Sequence, residues 1–351
     1  MQNLPTLSVC AAIIALAGCG GSQGPMPSGL STQTRGRESG KSWMLPEAKR
    51  TKELLYISDQ ATDHVYVYDY KTRRLLGRLN GFYKPAGQCV DANGDVWITD
   101  STAEAVVRYA HGALRRSKRI RTIGLPNSCS IDPTHGNLAV SDSSTPRNKG
   151  SKIEVFDATG KRKVYSSKSC QRIVQVGYDN TGNLYVSGSP SDYSSHVCEL
   201  PYGGAALEQI SIDKTIVVPA GVMWDGKYIT FTDRLYAFNY TAIYQAEPNG
   251  SGGLHVVGQT DFQGGKNSCK FTNLIQPFIV GSQNTPSNNQ QGNAVVAGNN
   301  ECFYGSGDAF QYWSYPGGGT PTHTVFDGPT DPSGQSVSIA TSGQRRSSLK
   351  R

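Results

Sequence analysis

The sequence predicts an all-β protein: a six-bladed β-propeller with four-stranded blades, closed by a C-terminal strand that completes the first blade. The first supporting observation is composition. The 351 residues include 40 glycines and 18 tyrosines, and only 17% of residues are charged, which favours strands and turns. The second is a motif that recurs along the chain. The third is a match between that motif and the end of the chain.

The repeated motif is clearest at residues 85–100, PAGQCVDANGDVWITD. It contains a short apolar run, a tight polar turn, a second alternating run and a closing aspartate. Copies occupy residues 126–142, 173–188 and 219–233, and a degenerate copy begins within 272–280. Together with the strands between the copies, each unit has about four strands and a period of roughly 40–47 residues, which is typical of a propeller blade.

The two ends of the periodic region predict how the ring closes. The first unit, residues 54–79, lacks an inner strand because residues 46–53 are polar. Residues 332–338, PSGQSVS, align without a gap with residues 85–91 and share Pro, Gly, Gln and Val. The C-terminal strand is therefore expected to complete the first blade. Radial stacking would then bury the apolar faces of all blades.

The N-terminal residues predict export and anchoring. Residues 1–18 are interpreted as a signal peptide. The apolar run at 8–18 is too short to cross a bilayer but has the length of a signal peptide's hydrophobic region. Leu16, Ala17 and Gly18 precede Cys19, and this arrangement resembles the lipobox of bacterial lipoproteins. The resemblance implies that Cys19 is lipidated. It also implies a location in the bacterial cell envelope, anchored through the lipid to a membrane on the extracytoplasmic side.

The remaining boundaries follow from composition. Residues 19–53 are rich in Gly, Ser and Pro and then polar, so a lipid-anchored flexible tether is expected there. The propeller is expected at residues 54–341 and a basic disordered tail at 342–351.

The cysteines predict disulfide bonds. An even number of cysteines in an exported domain favours pairing, and many connectivities are open. Pairs within one blade are preferred, because Cys89 and Cys129 sit at non-equivalent positions and point to opposite strand faces. The preferred pairs are Cys170–Cys198 and Cys269–Cys302.

The pattern PxGxxxDxxGxxxxxD across residues 85–100 resembles the NHL, SMP-30/gluconolactonase and streptogramin-lyase group of six-bladed propellers. Residues 93–100 are especially similar to the lyase-type repeat, and the resemblance covers roughly residues 54–341. It implies the fold. For the enzymes of the group it also implies a divalent metal in the central channel, held by carboxylate, Asn or His side chains, or a catalytic His.

The candidate positions in this chain do not match that chemistry. The residues expected to line the channel are polar and uncharged, foremost Gln88, Gln175 and Gln335. The closing and turn aspartates are expected to bond backbone amides. The six histidines are expected on the surface; they are His64, His111, His135, His196, His255 and His323. No catalytic residue, metal site or cofactor is therefore predicted.

These observations favour a non-catalytic binding or scaffold module, expected to be a monomer, for an unknown protein, glycan or small-molecule ligand. The ligand is expected at a channel mouth or on the loops at 189–195 and 284–291, which break the repeat. The alternative is a metal-dependent hydrolase, lactonase or lyase of the SMP-30/streptogramin-lyase type. A divalent metal would be its cofactor.

The net charge of +7 is partly clustered at residues 115–121, 161–163 and 345–351. Such clusters indicate charged strand edges or, in a third hypothesis, attachment to anionic envelope polymers. Nucleic acid is not expected, because no basic stripe is interleaved with aromatic residues. The aromatic strands are interpreted as packing between blades rather than a carbohydrate platform; their residues are Tyr66, Tyr68, Tyr70, Tyr312, Trp313 and Tyr315.

Overall fold

A computed structural model describes residues 40–143, 150–189, 195–237, 240–264, 276–280, 294–299 and 309–341. The chain separates into Met1–Glu38 and Ser39–Arg351, and every described residue belongs to the second part. The only helix among the described residues is a single 3₁₀ turn at Pro46–Lys49. No helix in this part of the chain has the length and apolar character needed to cross a membrane.

More than half of the described residues lie in strands. In chain order the strands are β1 (Trp43–Met44), β2 (Glu53–Asp59), β3 (His64–Asp69), β4 (Leu75–Leu79), β5 (Pro85–Val90), β6 (Val96–Asp100), β7 (Ala105–Tyr109), β8 (Arg116–Arg121), β9 (Leu125–Ile131), β10 (Leu138–Ser143), β11 (Lys152–Phe156), β12 (Arg162–Tyr165), β13 (Arg172–Tyr178), β14 (Leu184–Ser189), β15 (His196–Leu200), β16 (Glu208–Ile210), β17 (Pro219–Trp224), β18 (Ile229–Ala237), β19 (Tyr240–Pro248), β20 (Leu254–Gln263), β21 (Phe278–Val280), β22 (Ala294–Asn299), β23 (Ala309–Ser314), β24 (Gly318–Val325) and β25 (Pro332–Ile339).

These strands form five sheets. Three sheets are four-stranded antiparallel meanders, namely β5–β8, β9–β12 and β13–β16. One sheet has five strands in the order β1-β4-β3-β2-β25, and one has eight strands. The eight-stranded sheet consists of two antiparallel meanders, β17–β20 and β21–β24. Among the described residues, the backbone pairing between them is a single parallel bridge between Phe262 and Gly319.

Burial decreases from the first strand of each meander to the last. All six residues of β5 and all five of β6 are buried, whereas five of the six residues of β8 are exposed. The sequences agree with this gradient: β5 reads PAGQCV and β8 reads RSKRIR. The core consists of apolar clusters between neighbouring sheets, because each inner strand buries both of its faces. In β2, Leu54 and Tyr56 face one cluster while Leu55 and Ile57 face another, as the two-residue period of a strand requires.

The tight turns form as the motif predicts. The Asp91 carboxylate accepts the backbone N–H groups of Asn93 at 2.9 Å and Asp95 at 3.1 Å, and Gly94 takes a φ of +78°. The same carboxylate–amide pattern occurs at Asp132, Asp179 and Asp225. A side chain that replaces two backbone partners stabilises each turn locally, so the prediction for the turn aspartates is confirmed.

The prediction that the flexible tether extends to residue 53 is wrong for its last part. β1 pairs with β4 through Trp43↔Arg78 and Met44↔Gly77, and the Leu45 N–H donates to the Leu76 carbonyl at 2.8 Å. Ala48 is fully buried. The few apolar side chains in this polar stretch are sufficient to hold it against β4, where it covers an otherwise open sheet edge.

The aromatic strands are packed in the core, as the sequence analysis favoured. Tyr68 and Phe310 have ring centroids 4.8 Å apart, and those of Tyr70 and Tyr312 are 5.7 Å apart. Trp313 is fully buried. The tyrosine and phenylalanine rings lie between the β2–β4 and β21–β24 strands, whereas Trp313 packs against Phe262 of β20. Their packing removes these rings as an exposed carbohydrate platform.

β25 joins the two ends of the folded chain. It pairs antiparallel with β2 over seven residue pairs, from Glu53↔Ile339 to Asp59↔Pro332. The Asp59 carboxylate also accepts the N–H groups of Thr330 at 2.8 Å and Asp331 at 3.2 Å.

Removal of β25 should therefore abolish the cooperative fold. We expect a chain ending at residue 331 to lose the single sharp unfolding transition, because the buried edge of β2 would be left without its partner. A chain ending at residue 341, which keeps β25, is the matched control and should melt like the full chain. Thermal unfolding followed by circular dichroism measures both. An unchanged transition in the shorter chain would contradict this role of β25.

Candidate functional site

The inner strands surround one small cavity. Its walls come from β5, β9, β13, β17, β21 and β25, and its volume is about 30 Å³, enough for a water molecule or two. Gln88, Gln175 and Gln335, the predicted channel-lining residues, all line it, together with Gln276. Their exposed fractions are 3%, 5% and 2% for the three predicted residues.

Hydrogen bonds hold these amide side chains in place. Gln88 Nε2 donates to Ser58 Oγ at 2.8 Å, and Gln88 Oε1 accepts from Ser336 Oγ at 2.8 Å. Gln276 Nε2 donates to Gln175 Oε1 at 2.9 Å. Two buried atoms at the cavity have no such partner among the described residues: the acceptor Gln276 Oε1 and the donor Gln335 Nε2. The cavity therefore offers one free acceptor and one free donor.

The glycine of the PxG motif allows the inner strands to approach closely. A Cβ on Gly87 would lie 2.4 Å from the Asn127 carbonyl oxygen, and a Cβ on Gly334 would lie 2.3 Å from the Ala86 carbonyl oxygen. Each distance is shorter than van der Waals contact, so only glycine fits without movement of the neighbouring backbone. This close approach explains why the cavity is so small.

Two disulfide bonds are present among the described residues, which confirms that this domain contains disulfides. Cys170, immediately before β13, is bonded to Cys198 on β15, with Cα atoms 6.5 Å apart. Cys89 on β5 is bonded to Cys129 on β9, with Cα atoms 5.6 Å apart, and both border the cavity. Cys269 and Cys302 lie outside the described residues.

The prediction that the cysteines pair within a single blade is wrong for Cys89 and Cys129, which are bonded to each other across two neighbouring sheets. The two residues do point to opposite faces of their strands: Cys89 pairs with Trp97 and Cys129 with Val140, one register step out of equivalence. However, when two sheets stack, the upper face of one packs on the lower face of the other. Side chains that point to opposite faces of their own strands can therefore meet between the sheets, and the two sulfurs do so within the apolar cluster there.

Loss of this bond should destabilise the domain. The bond closes a loop with a sequence separation of 40 residues, and removing such a link costs about 2–4 kcal/mol because the unfolded chain gains freedom. We expect Cys89→Ser/Cys129→Ser to lower the free energy of unfolding by about that amount in denaturant titrations. The wild-type protein under reducing conditions provides the comparison. Peptide mapping that pairs Cys89 or Cys129 with any other cysteine would contradict the assignment.

The closing aspartates bond backbone amides at three of four positions. Asp59 accepts Ala61 N–H at 2.9 Å, Asp100 accepts Tyr83 N–H at 2.6 Å, and Asp233 accepts the N–H groups of Val217 and Val218 at 2.8 and 3.0 Å. Burial raises the pKa of Asp100 to about 6. The prediction of a turn-binding role is confirmed for these three residues, but Asp142 differs.

At Asp142 a second carboxylate takes the expected amide. Glu154, on the adjacent strand β11, accepts the Ile123 N–H at 2.9 Å and pairs with Arg162 at 2.7 Å. Asp142 is 1% exposed, and neither of its oxygens receives a hydrogen bond from a described residue. Burial, together with the neighbouring Glu154 carboxylate, raises the pKa of Asp142 to about 9. This shift favours the protonated form of Asp142, whose O–H can donate to Glu154.

This arrangement predicts a pH-dependent effect of Asp142→Asn. Because the pKa is higher in the folded state than the usual value of about 3.9, the wild type loses stability as pH rises from about 4 to 9. The neutral amide avoids that loss. We expect the variant to match the wild type near pH 4 and to exceed it by about 1–3 kcal/mol at pH 8, measured by denaturant unfolding across pH.

Asp233→Asn is the matched control at the equivalent position. Both Asp233 oxygens accept backbone N–H groups, and an amide offers only one acceptor. That substitution should lower the free energy of unfolding at pH 7 by about 1–3 kcal/mol. A loss of stability in Asp142→Asn at pH 8 would show that Asp142 is ionised.

The prediction of surface histidines is wrong at two positions. His64 is 3% exposed and His111 is 6% exposed. The His111 ring nitrogens hydrogen-bond Ser338 Oγ at 2.7 Å and the Thr51 carbonyl at 2.8 Å. His111 thus connects a turn to both ends of the folded chain, a contact that no local pattern indicates.

The chemistry of the cavity wall is hydrogen bonding by neutral groups. Its described lining consists of amide, hydroxyl, sulfur and apolar groups and contains no carboxylate, imidazole or basic side chain. Among residues 40–341, outside the gaps given above, no three His, Cys, Asp or Glu side chains are grouped as metal ligands would be. Gln276 was missed by the sequence analysis; the signal was a Gln-Pro pair in the degenerate repeat. Residues 190–194 and 284–291 of the predicted ligand loops lie outside the described residues.

Comparison with known proteins gives similarity in structure only. No family model matches the sequence, and no curated protein matches it. A chain of the nidogen/laminin complex is similar with a TM-score of 0.58 and 12% identity, over 82% of this chain and 99% of that chain. A protein of unknown function from Bacteroides caccae has a TM-score of 0.56 and 12% identity, with coverage of 82% and 99%.

TolB from Acinetobacter baumannii is also similar, with a TM-score of 0.50 and 14% identity over 77% of this chain and 62% of TolB. At these identities the similarity shows the fold alone. The fold is a β-propeller. The sheets described above, with their buried inner strands and exposed outer strands, are its blades.

Proposed function

We propose that the domain is a closed ring of six blades. The eight-stranded sheet would be counted as two blades, because the backbone pairing between its described halves is limited to the Phe262–Gly319 bridge. β25 would complete the first blade by its pairing with β2. The cavity lining supports this arrangement, since β5, β9, β13, β17, β21 and β25 all contribute to it.

The apolar clusters support the same ring. Each of six clusters contains side chains from two neighbouring four-stranded groups. In the cluster that would close the ring, Phe278 and Phe310 pack with Leu55, Tyr68 and Val337. Every group would then have an apolar partner on both faces, which is what a four-stranded blade needs for stability.

Within this ring we propose a non-catalytic binding or scaffold function in the bacterial cell envelope. Residues 1–18 would direct export, Cys19 would carry the lipid, and the tether would end near residue 40. The residues up to Glu38 lie outside the described part of the chain, so the anchor rests on the Leu16-Ala17-Gly18-Cys19 pattern. The resemblance to the NHL and SMP-30 group remains part of this proposal.

The observation that carries the binding function is the neutral wall of the cavity. Buried Gln335 Nε2 and Gln276 Oε1 have no hydrogen-bond partner among the described residues, and a buried polar atom without a partner costs about 1–3 kcal/mol. A ligand with one acceptor and one donor, entering from a mouth of the channel, would relieve that cost at both atoms. An uncharged amide or hydroxyl group fits these requirements.

A thermal-shift screen of the purified protein tests this function. We expect small uncharged amides, or sugars and short peptides that extend one amide or hydroxyl group into the cavity, to raise the melting temperature, as any ligand specific for the folded state does. The shift should disappear in Gln335→Leu and remain in Gln209→Leu, whose side chain is exposed on β16. Calcium, magnesium, manganese and zinc should leave the melting temperature unchanged. A stoichiometric divalent ion together with lactone or ester hydrolysis would instead establish the alternative enzyme.

A further inference from the structure

We propose that the outer edges of two neighbouring sheets bind a linear polyanion, a polymer with repeated phosphate, sulfate or carboxylate groups. The surface consists of residues 112–125, which include β8, and residues 158–168, which include β12. It is called the basic rim below. The basic rim is separate from the central cavity, and its function does not depend on the ligand proposed there.

Positive charge is concentrated on the basic rim. Residues 112–125 and 158–168 contain nine Lys or Arg residues and no Asp or Glu, while the formal net charge of the whole chain is +7. The rest of the chain is therefore slightly negative. A local excess of this kind creates a field that attracts anions to one side of the molecule.

The cations of the rim are exposed and mostly free of internal ion pairs. Arg115, Arg116, Lys118, Arg119 and Arg121 are all exposed, and no described carboxylate lies within ion-pair distance of any of them. On the second edge, Lys161 and Lys163 are exposed and unpaired in the same sense, whereas Arg162 pairs with Glu154. An external anion would therefore not have to break internal pairs at most of these positions.

Arg108, close to the basic rim, shows the opposite arrangement. Arg108 is on β7, one strand further in, and its guanidinium contacts both Asp91 and Asp95. Its charge is thus compensated within the protein. The basic residues of β8 have no such carboxylates beside them among the described residues, although most of them are also arginines. The excess charge is specific to the outermost strands.

A groove of about 420 Å³ lies between the two sheets, inside the basic rim. Its lining includes Trp97, Arg108 and Lys118, but also the carboxylates Asp91, Asp132 and Asp157. Lys118 Nζ lies 5.9 Å from the centre of the Trp97 ring. Trp97 is only 6% exposed, so its ring cannot stack on a nucleobase. Because its carboxylates outnumber its cations, the groove itself is not the proposed anion site; the exposed side chains on the strand edges are.

The shape of the surface favours an extended polymer. Alternate residues of a strand are about 6.6 Å apart and project to the same side, so the basic residues of β8 form rows along its edge. Most of them are arginines, whose planar guanidinium groups bind oxyanions through two hydrogen bonds. A chain of regularly spaced oxyanions matches such a row.

Protection of the sheet edges does not explain this charge. Charged side chains on an edge strand prevent pairing with other chains, but the other described outer strands carry at most one Lys, Arg, Asp or Glu each. β4 is covered by β1, and β16 reads EQI, with one acidic residue. Edge protection needs charge of either sign, whereas the basic rim has a single sign on two adjacent edges.

Fluorescence anisotropy with the full chain tests the proposal, with labelled polyphosphate, heparin and polyglutamate as probes. At least one probe should bind, with a dissociation constant that rises at least about tenfold between 50 and 300 mM salt, because bound counterions are released. Arg116→Glu/Arg121→Glu should weaken binding at least about tenfold. The three probes distinguish phosphate, sulfate and carboxylate as the preferred group.

Lys41→Glu/Lys227→Glu is the matched control, because it changes the net charge equally at exposed lysines outside the basic rim. Its binding should stay within about twofold of the wild type, since screening limits the reach of a distant charge. Both variants keep charged edges and should melt like the wild type. Equal weakening by both variants, binding that does not change with salt, or binding to anionic phospholipid vesicles without binding to any soluble probe would overturn the proposal.

Discussion

The close approach of the inner strands is the constraint on which the rest of the structure depends. Near the axis, glycines bring the backbone of one inner strand almost into contact with the next, as Gly87 does with Asn127 and Gly334 with Ala86. The meanders spread outwards from this crowded centre. They consequently bury most of each first strand and, except at β4, leave much of the last strand to solvent, which separates the hydrogen-bonding interior from the charged perimeter.

Polar side chains in such a narrow centre are costly unless they are hydrogen-bonded. Gln88 satisfies this requirement through the hydroxyl groups of Ser58 and Ser336, both on strands of the sheet that β25 joins. Asp142 meets the same requirement in a different way, by keeping its proton beside Glu154. Both cases follow one rule: a buried group adopts the partner or the protonation state that leaves the least uncompensated charge. The cavity wall follows the same rule, because its described lining is made of neutral groups.

The parts of the fold that sequence could predict are local. The turn aspartates and glycines, the strands between them and the place of β25 all follow from spacing within about twenty residues or from a direct match of motifs. The parts that were missed depend on contacts between distant segments. The Cys89–Cys129 bond depends on which strand faces meet, the burial of His111 depends on both ends of the folded chain, and β1 depends on an edge of β4 that no local pattern reveals. Gln276, which lines the cavity, was not predicted because its repeat is too degenerate to align with the other copies of the motif.

The short strand β1 also has a mechanical consequence. It is the first described strand after the N-terminal segment, and its ladder with β4 has two residue pairs, followed by the hydrogen bond from Leu45 to Leu76. Tension applied through that segment would reach β1 before any other strand. The pairs would separate one after the other, because the load acts on the end of a short ladder, while the seven pairs between β2 and β25 remain unloaded. A protein held at a moving surface could thus lengthen by several residues under force and recover when the force falls, without opening its core.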